Sequence, residues 1–268
     1  MAWEEAHASL LHVANPVEGE RWRAFWDRRS GGYMDQLSGD GPLLEAVVKF
    51  MTRMGLLTQE DDVLDVGCGP GPYTLLFAQA ARSVTALDVS QGMLDELIRR
   101  ASVDGIHNIR TVCSNWESYR GRKKYDLAFS SFCPGVDNPR AMFKMERMSR
   151  RSCCYVTGGS TGQPEYMREL WELLTGERPM PEKEDKFYAF NTLYEAVRMP
   201  SAHAFRYRSP RVKPREEIVR NALLYFEMLM PLDEEQKKII REYLSSHLPE
   251  DAEGGAERSM YLEYWQPE

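Results

Sequence analysis

Val63-Leu64-Asp65-Val66-Gly67-Cys68-Gly69-Pro70-Gly71 is the stretch on which the reading of the fold turns. Residues 63–66 have the apolar texture of a short buried strand, three glycines follow at alternate positions, and residues 72–81 resume at helical spacing. A strand that passes through a glycine-rich turn into a helix brings its backbone close to a ligand. It also offers that ligand the unpaired N–H groups of the first helical turn. A second strand is expected over 84–89, and its acid, Asp88, lies 21 residues past Gly67. A carboxylate there accepts hydrogen bonds from both hydroxyls of a ribose. These features alone point to an adenosine-containing ligand at the switch point of an α/β sheet, and a dinucleotide stays open.

Working outward, Ser90 is the expected N-cap of a helix with Met93, Leu94, Leu97, Ile98 and Ala101 on one stripe and Asp95, Glu96, Arg99 and Arg100 on the other. Asp104-Gly105 ends it. Residues 109–115, 125–132 and 153–157 are three more expected strands, with a helix over 139–150 between the last two. Helices are expected over 21–29 and 42–57 before this core, and over 165–175, 191–199 and 214–230 after it. Asp233-x-x-Gln236 is a capping box for one more helix. Residues 202–207 and 260–265 read as strands and 249–257 as a loop. Strands that alternate with helices mean a parallel sheet covered on both faces. The expected organisation is a helical N-terminal cap over 1–60 and a cofactor-binding core over 61–160. A lid insertion with the remaining strands and helices, over 161–268, completes the same domain.

Composition narrows the function classes. At 268 residues, 43% hydrophobic and 28% charged, the chain is long enough for one large globular domain. Nineteen glycines and fifteen prolines exclude collagen-like and low-complexity chains. No apolar run approaches the roughly 18 residues of a membrane helix, so no membrane partner is expected. The opening MAWEEAHASL lacks the basic region of a secretory signal. Five cysteines, an odd number without metal-ligand spacing, read as free thiols of a reducing cytoplasm, with no metal site. Forty-one acids against 34 bases give a net charge of −7, which argues against a chain built to hold nucleic acid.

Spacing weighs against the dinucleotide. A G-x-G-x-x-G fingerprint needs a third glycine where this chain has Pro72. The run instead resembles motif I of the class I S-adenosylmethionine-dependent methyltransferases, and the resemblance covers about residues 60–160. It implies a Rossmann-like, doubly wound, mostly parallel seven-stranded sheet, with S-adenosylmethionine as cofactor and S-adenosylhomocysteine as product. It also implies cofactor contacts from Asp65, Gly67, Cys68 and Gly69 in the motif and from Asp88 and Val89 at the second strand. Met93 would lie on the adenine. Asn115 and Trp116 would lie at its edge, where the family more often has Asp, and Ser130 would border the methionine end. Trp26-Asp27-Arg28-Arg29 with Tyr33 resembles the N-terminal cap of small-molecule methyltransferases such as those of quinone biosynthesis, whose tyrosine covers the cofactor. Tyr33 and Trp116 are candidate aromatic faces for the sulfonium.

The acceptor leaves weaker marks, and no residue stands out as a catalytic base. Ser131-Phe132-Cys133-Pro134 follows the fourth strand, where the family's acceptor pocket begins, but lacks the amide or carboxylate of the nucleic-acid amino-methyltransferases. All five cysteines are read as buried packing residues, with Cys153 and Cys154 on opposite faces of one strand. The histidines, at 7, 12, 107, 203 and 247, are scattered. The basic residues Arg140, Lys144, Arg147, Arg150 and Arg151, and the run from Arg206 to Arg215, are read as solvated faces. Trp171, Phe187, Tyr188, Phe190 and Tyr194 fit either a lid over an organic acceptor or ordinary packing. The expected function is methyl transfer to a small molecule. The alternatives are an RNA- or protein-modifying methyltransferase and a non-catalytic S-adenosylmethionine-binding protein.

Overall fold

A computed structural model describes residues 19–37, 40–121, 124–136, 138–159, 164–177, 188–208, 213–252 and 257–268. The elements in chain order are α1 (Gly19–Gln36), α2 (Gly41–Arg53), β1 (Asp62–Val66), α3 (Thr74–Ala80), β2 (Ser83–Asp88), α4 (Gln91–Val103), β3 (Ile109–Cys113) and β4 (Tyr125–Ser131). They continue with α5 (Pro139–Met148), β5 (Ser149–Gly159), α6 (Glu165–Thr175), α7 (Tyr188–Glu195), β6 (Ser201–Arg208), β7 (Lys213–Pro214), α8 (Arg215–Leu229), α9 (Glu234–His247), β8 (Asp251–Ala252) and β9 (Glu257–Trp265).

The chain forms two compact units. The larger comprises Trp26–Gly159, Lys186–Tyr207 and Arg258–Glu268. Its seven-stranded sheet has the order β3-β2-β1-β4-β5-β9-β6, with the pairs β1–β2, β1–β4, β2–β3 and β4–β5 parallel and β5–β9 antiparallel. This is the expected Rossmann-like doubly wound arrangement, whose order reverses between β1 and β4. β1 is buried along its whole length, as a strand covered on both faces must be. One face packs Val47, Met51, Phe77, Phe129 and Leu262, and the other packs Leu64, Val66, Met142, Met145 and Trp265. Cys153 joins the second set and Cys154 the first, so the pair does lie on opposite faces.

The smaller unit comprises Met1–Phe25, Ser160–Asp185 and Arg208–Glu257. Its core joins Met167 and Leu170 of α6 to Ala222 and Phe226 of α8 and to Ile240 and Leu244 of α9. Asp233 and Gln236 form the capping box expected ahead of α9.

Four expectations need correction. Ile98 is exposed, because it lies about 100° round the helix from buried Leu97. The helix expected over 191–199 begins earlier, at Tyr188, and ends at Glu195; Val197 and Met199 then take left-handed backbone angles that stop it. The loop expected over 249–257 contains β8, which pairs antiparallel with β7. Cys113 is exposed at the end of β3, an edge strand whose side chains are only partly covered.

Candidate functional site

The glycine-rich turn leaves β1 with Gly67, Gly69 and Gly71 all at positive φ, at 71°, 54° and 88°. Side chains other than glycine pay a steric penalty there. At two of the three, space matters as well: a Cβ on Gly67 would lie 2.3 Å from Cys133 Sγ, and one on Gly71 would lie 2.2 Å from Leu97 Cδ1. Gly69 differs. A Cβ there meets nothing within 4 Å, so the backbone at Gly69 borders open space. The N–H groups of Gly67 and Cys68 both donate to the Leu87 carbonyl (2.8 and 3.0 Å), which locks the turn against the end of β2.

Asp88 closes that end. Its Oδ2 accepts from the Gly69 N–H at 2.8 Å and its Oδ1 from the Ser90 N–H at 2.9 Å. Burial pushes its carboxyl above the usual range, the backbone donors at Ser90 and Gly69 oppose that shift, and the Asp27 carboxylate adds to it. Ser90 caps α4 as expected, accepting from the Met93 N–H at 3.1 Å. Asp27 of α1 reaches the same corner: its Oδ1 accepts from Ser90 Oγ at 2.5 Å and from the Gly92 N–H at 3.1 Å. Gly92 permits this approach, since a Cβ there would lie 2.9 Å from Ser30 Oγ. Two turns on, Tyr33 stands edge-on to Trp26, with the Arg29 guanidinium 5.3 Å from its ring centre. Burial raises the Tyr33 phenol, the Arg29 guanidinium opposes that shift, and the Asp88 and Asp40 carboxylates add to it.

Asp65 is buried beneath the turn and accepts from Thr74 Oγ1 at 2.6 Å. Burial pushes its carboxyl up to about 7 against the opposing Thr74 hydrogen bond, and Asp88 adds a further upward push. Cys68 packs with Ala86, Leu94 and Leu97, and burial holds its thiol well above the ordinary value. Met93 is buried at the start of α4, and Val89 follows Asp88, half-buried. Ser130 is buried and donates to the Val66 carbonyl at 3.0 Å, so its side chain braces β4 against β1.

Asn115 and Trp116 part company. Asn115 is exposed, and its side chain accepts from the Glu117 N–H at 2.8 Å, which fixes the turn leaving β3. Trp116 is buried in the core, with its indole N–H on the Ala141 carbonyl at 3.2 Å and the Lys144 ammonium 4.3 Å from its ring centre. The structure therefore gathers Gly67, Gly69, Asp88 and Met93 around one corner, with Tyr33 on the helix whose Asp27 reaches it. Trp116 packs in the core and Ser130 braces β4 against β1. Asp27 was legible only as part of a resembling segment, and Thr74 carried no signal in the sequence.

Several residues of the basic and aromatic sets have structural duties. Arg150 pairs with Asp126 at 2.9 Å, and Arg151 binds Asp61 and the Gly55 carbonyl. Trp171 stacks on Phe226 in the smaller unit, Tyr188 is buried in the larger, and Tyr194 is exposed. Phe187, His7 and His12 lie outside the described residues. No cluster of three or more metal-ligating side chains occurs among the described residues.

The open backbone at Gly69, the buried carboxylate of Asp88 and the phenol of Tyr33 fit the ribose end of an adenosine-bearing cofactor. The family described as a methyltransferase domain matches residues 63–151, which span β1 to the start of β5. An uncharacterized protein of Haemophilus influenzae is 34% identical over 114 residues, 42% of this chain and 41% of that protein. A protein of Methanobrevibacter smithii described as a probable cobalt-precorrin-6B C(15)-methyltransferase (decarboxylating) is 42% identical over 50 residues, 19% of this chain and 27% of its own. The chain thus spans less than half the length of these curated relatives. The YcgJ protein of Bacillus subtilis has a similar fold, with a TM-score of 0.56 at 13% identity over 84% of this chain and 99% of that one. Residues 63–151 of the chain are thus similar to a methyltransferase domain, set in a fold like that of the Bacillus subtilis protein.

Proposed function

We propose that the protein transfers a methyl group from S-adenosylmethionine to a small molecule in the cytoplasm. The observation that carries this reading is the corner formed by Gly69 and Asp88 within the residues matched to a methyltransferase domain, with Tyr33 on the helix whose Asp27 reaches it. The cofactor's sulfonium makes its methyl group electrophilic, and transfer is an in-line displacement. The chain's own part is to bind and orient. Asp88 offers its remaining lone pairs to the ribose hydroxyls, Gly69 admits the cofactor to the backbone, and Tyr33 covers the site and excludes water. Asp65, Gly67, Cys68 and Met93 shape the surrounding turn and helix.

Three features support a small acceptor in a reducing compartment. The net charge is −7, and Arg150 and Arg151 are engaged in ion pairs. All five cysteines are free. No described helix is long and apolar enough to cross a membrane. The test incubates the protein with radiolabelled S-adenosylmethionine and, separately, a metabolite extract, bulk tRNA or lysate protein. Label in the low-mass fraction is the expected result. Label in tRNA or protein would replace the proposed acceptor class, and label in none of them would favour a non-catalytic binder.

A further inference from the structure

We propose that Phe132 forms the aromatic wall of the acceptor site and that the methyl acceptor lays a planar, apolar face against it. This rests on the methyltransferase reading above and adds the class of substrate.

Topology gives the direction. Asp88 and Gly69 join at the ends of β2 and β1; in the function proposed above they would take the adenosine end, and a ligand extending from there across the switch point runs toward β4 and β5. Phe132 is the first residue beyond β4. Its φ is +48°, a left-handed angle that an aromatic residue adopts only against strain. Glycine would relieve that strain, yet the chain places one of its largest apolar side chains here. The backbone is held in place by the Phe132 N–H, which donates to the Val156 carbonyl of β5 at 3.0 Å. The ring itself lies over Gly158 of β5, where an added Cβ would come within 2.6 Å of Phe132 Cε1. Gly158 thus makes room for the ring.

Phe132 is nonetheless exposed, at 55% for the residue as a whole. Val197 and Met199 are also exposed at left-handed angles, but among the described glycines the one seated under such a side chain is Gly158, beneath the Phe132 ring. Strain, a prepared seat and an uncovered face together describe a side chain presented to a ligand. A polar group lies close to the wall in the chain: Ser131 precedes it and is half-buried. An acceptor with a ring to rest on Phe132 and a hydroxyl or amine at its edge matches this pairing of surfaces.

The test uses the full chain, saturating S-adenosylhomocysteine and 2-naphthol as a planar probe, with probe binding read by its fluorescence and unfolding by calorimetry. Phe132→Gly is expected to weaken naphthol binding about tenfold or more. It should leave S-adenosylhomocysteine affinity unchanged and the melting temperature equal or higher, because the left-handed angle suits glycine. Gly158→Ala, which displaces the ring without removing it, is expected to weaken naphthol binding as well. Unchanged naphthol affinity in both variants, with S-adenosylhomocysteine still bound, overturns the proposal alone. A lowered melting temperature in Phe132→Gly with naphthol binding intact assigns the ring to packing and also overturns it. Failure of the unaltered chain to bind S-adenosylhomocysteine overturns the methyltransferase reading and the acceptor wall with it.

Discussion

Asp27 Oδ1 and Ser90 Oγ lie 2.5 Å apart, so a carboxylate on the N-terminal helix is tied to the residue that caps the helix following Asp88. The same oxygen accepts from the Gly92 N–H. One side chain therefore satisfies a helix N-terminus and also ties α1, with Tyr33 two turns further on, to the start of α4 beside Asp88.

Asp27→Ala is expected to lower stability by about 1–2 kcal/mol, the usual worth of a helix cap that accepts with a charged group. It should also weaken S-adenosylhomocysteine binding severalfold, since Tyr33 loses its anchor. Thermal unfolding and calorimetric titration check both effects. Asp27→Asn, which keeps an accepting oxygen, should recover part of each. A melting temperature unchanged in Asp27→Ala would show that the tie contributes nothing.

The buried Asp65 carboxyl, pushed up to about 7, makes a prediction for pH. Its folded-state value lies above the ordinary carboxylate value, so between about pH 4 and 7 the folded chain holds a proton that the unfolded chain has released. Stability from this group therefore falls as pH rises through that window and levels off above it. Melting temperatures measured from pH 5 to pH 8 should decline less in Asp65→Asn than in the unaltered chain. Parallel curves would remove Asp65 as the source.

Steric fit in the turn separates the glycines. Gly71→Ala, at φ 88° and 2.2 Å from Leu97 Cδ1, is expected to destabilise the fold more than Gly69→Ala, whose Cβ enters open space. Gly69→Ala carries mainly the left-handed penalty of about 1–2 kcal/mol, and its larger effect should be on cofactor affinity. Denaturant unfolding ranks the pair. The reverse order would contradict the packing described.

The thiols offer a direct check of burial. Cys113 is exposed, whereas Cys68, Cys153 and Cys154 are buried; Cys133, expected buried, is half-buried, with its thiol pushed up to about 12 by desolvation. The folded protein should titrate one fast thiol with a disulfide reagent at pH 8, lost in Cys113→Ser, and all five after denaturation. Two or more fast thiols would show that a buried one is accessible.

Motif I and the alternation of strands with helices made the larger unit legible, because glycine spacing and buried-strand texture are local properties of the chain. The Ser90 cap and the Asp233–Gln236 capping box were legible for the same reason. What escaped were relations set by distant partners. The bond from Asp27 to Ser90 joins residues 63 apart. The contacts of Trp116 with Ala141 and Lys144 likewise join distant parts of the chain. The pairing of β7 with β8 involves two residues on each side, too few to leave a pattern. Phe132 is an ordinary apolar residue in the sequence, and only its backbone angle and the glycine beneath it mark it out.

Calorimetric titration of the unaltered chain and of Asp88→Ala with S-adenosylhomocysteine tests cofactor binding at this corner most directly. Hydrogen bonds to a charged acceptor are each worth about 1.5–3 kcal/mol, so saturable binding is expected, weakened more than tenfold in Asp88→Ala. No binding by the unaltered chain at millimolar ligand, or equal affinity in both proteins, would contradict it.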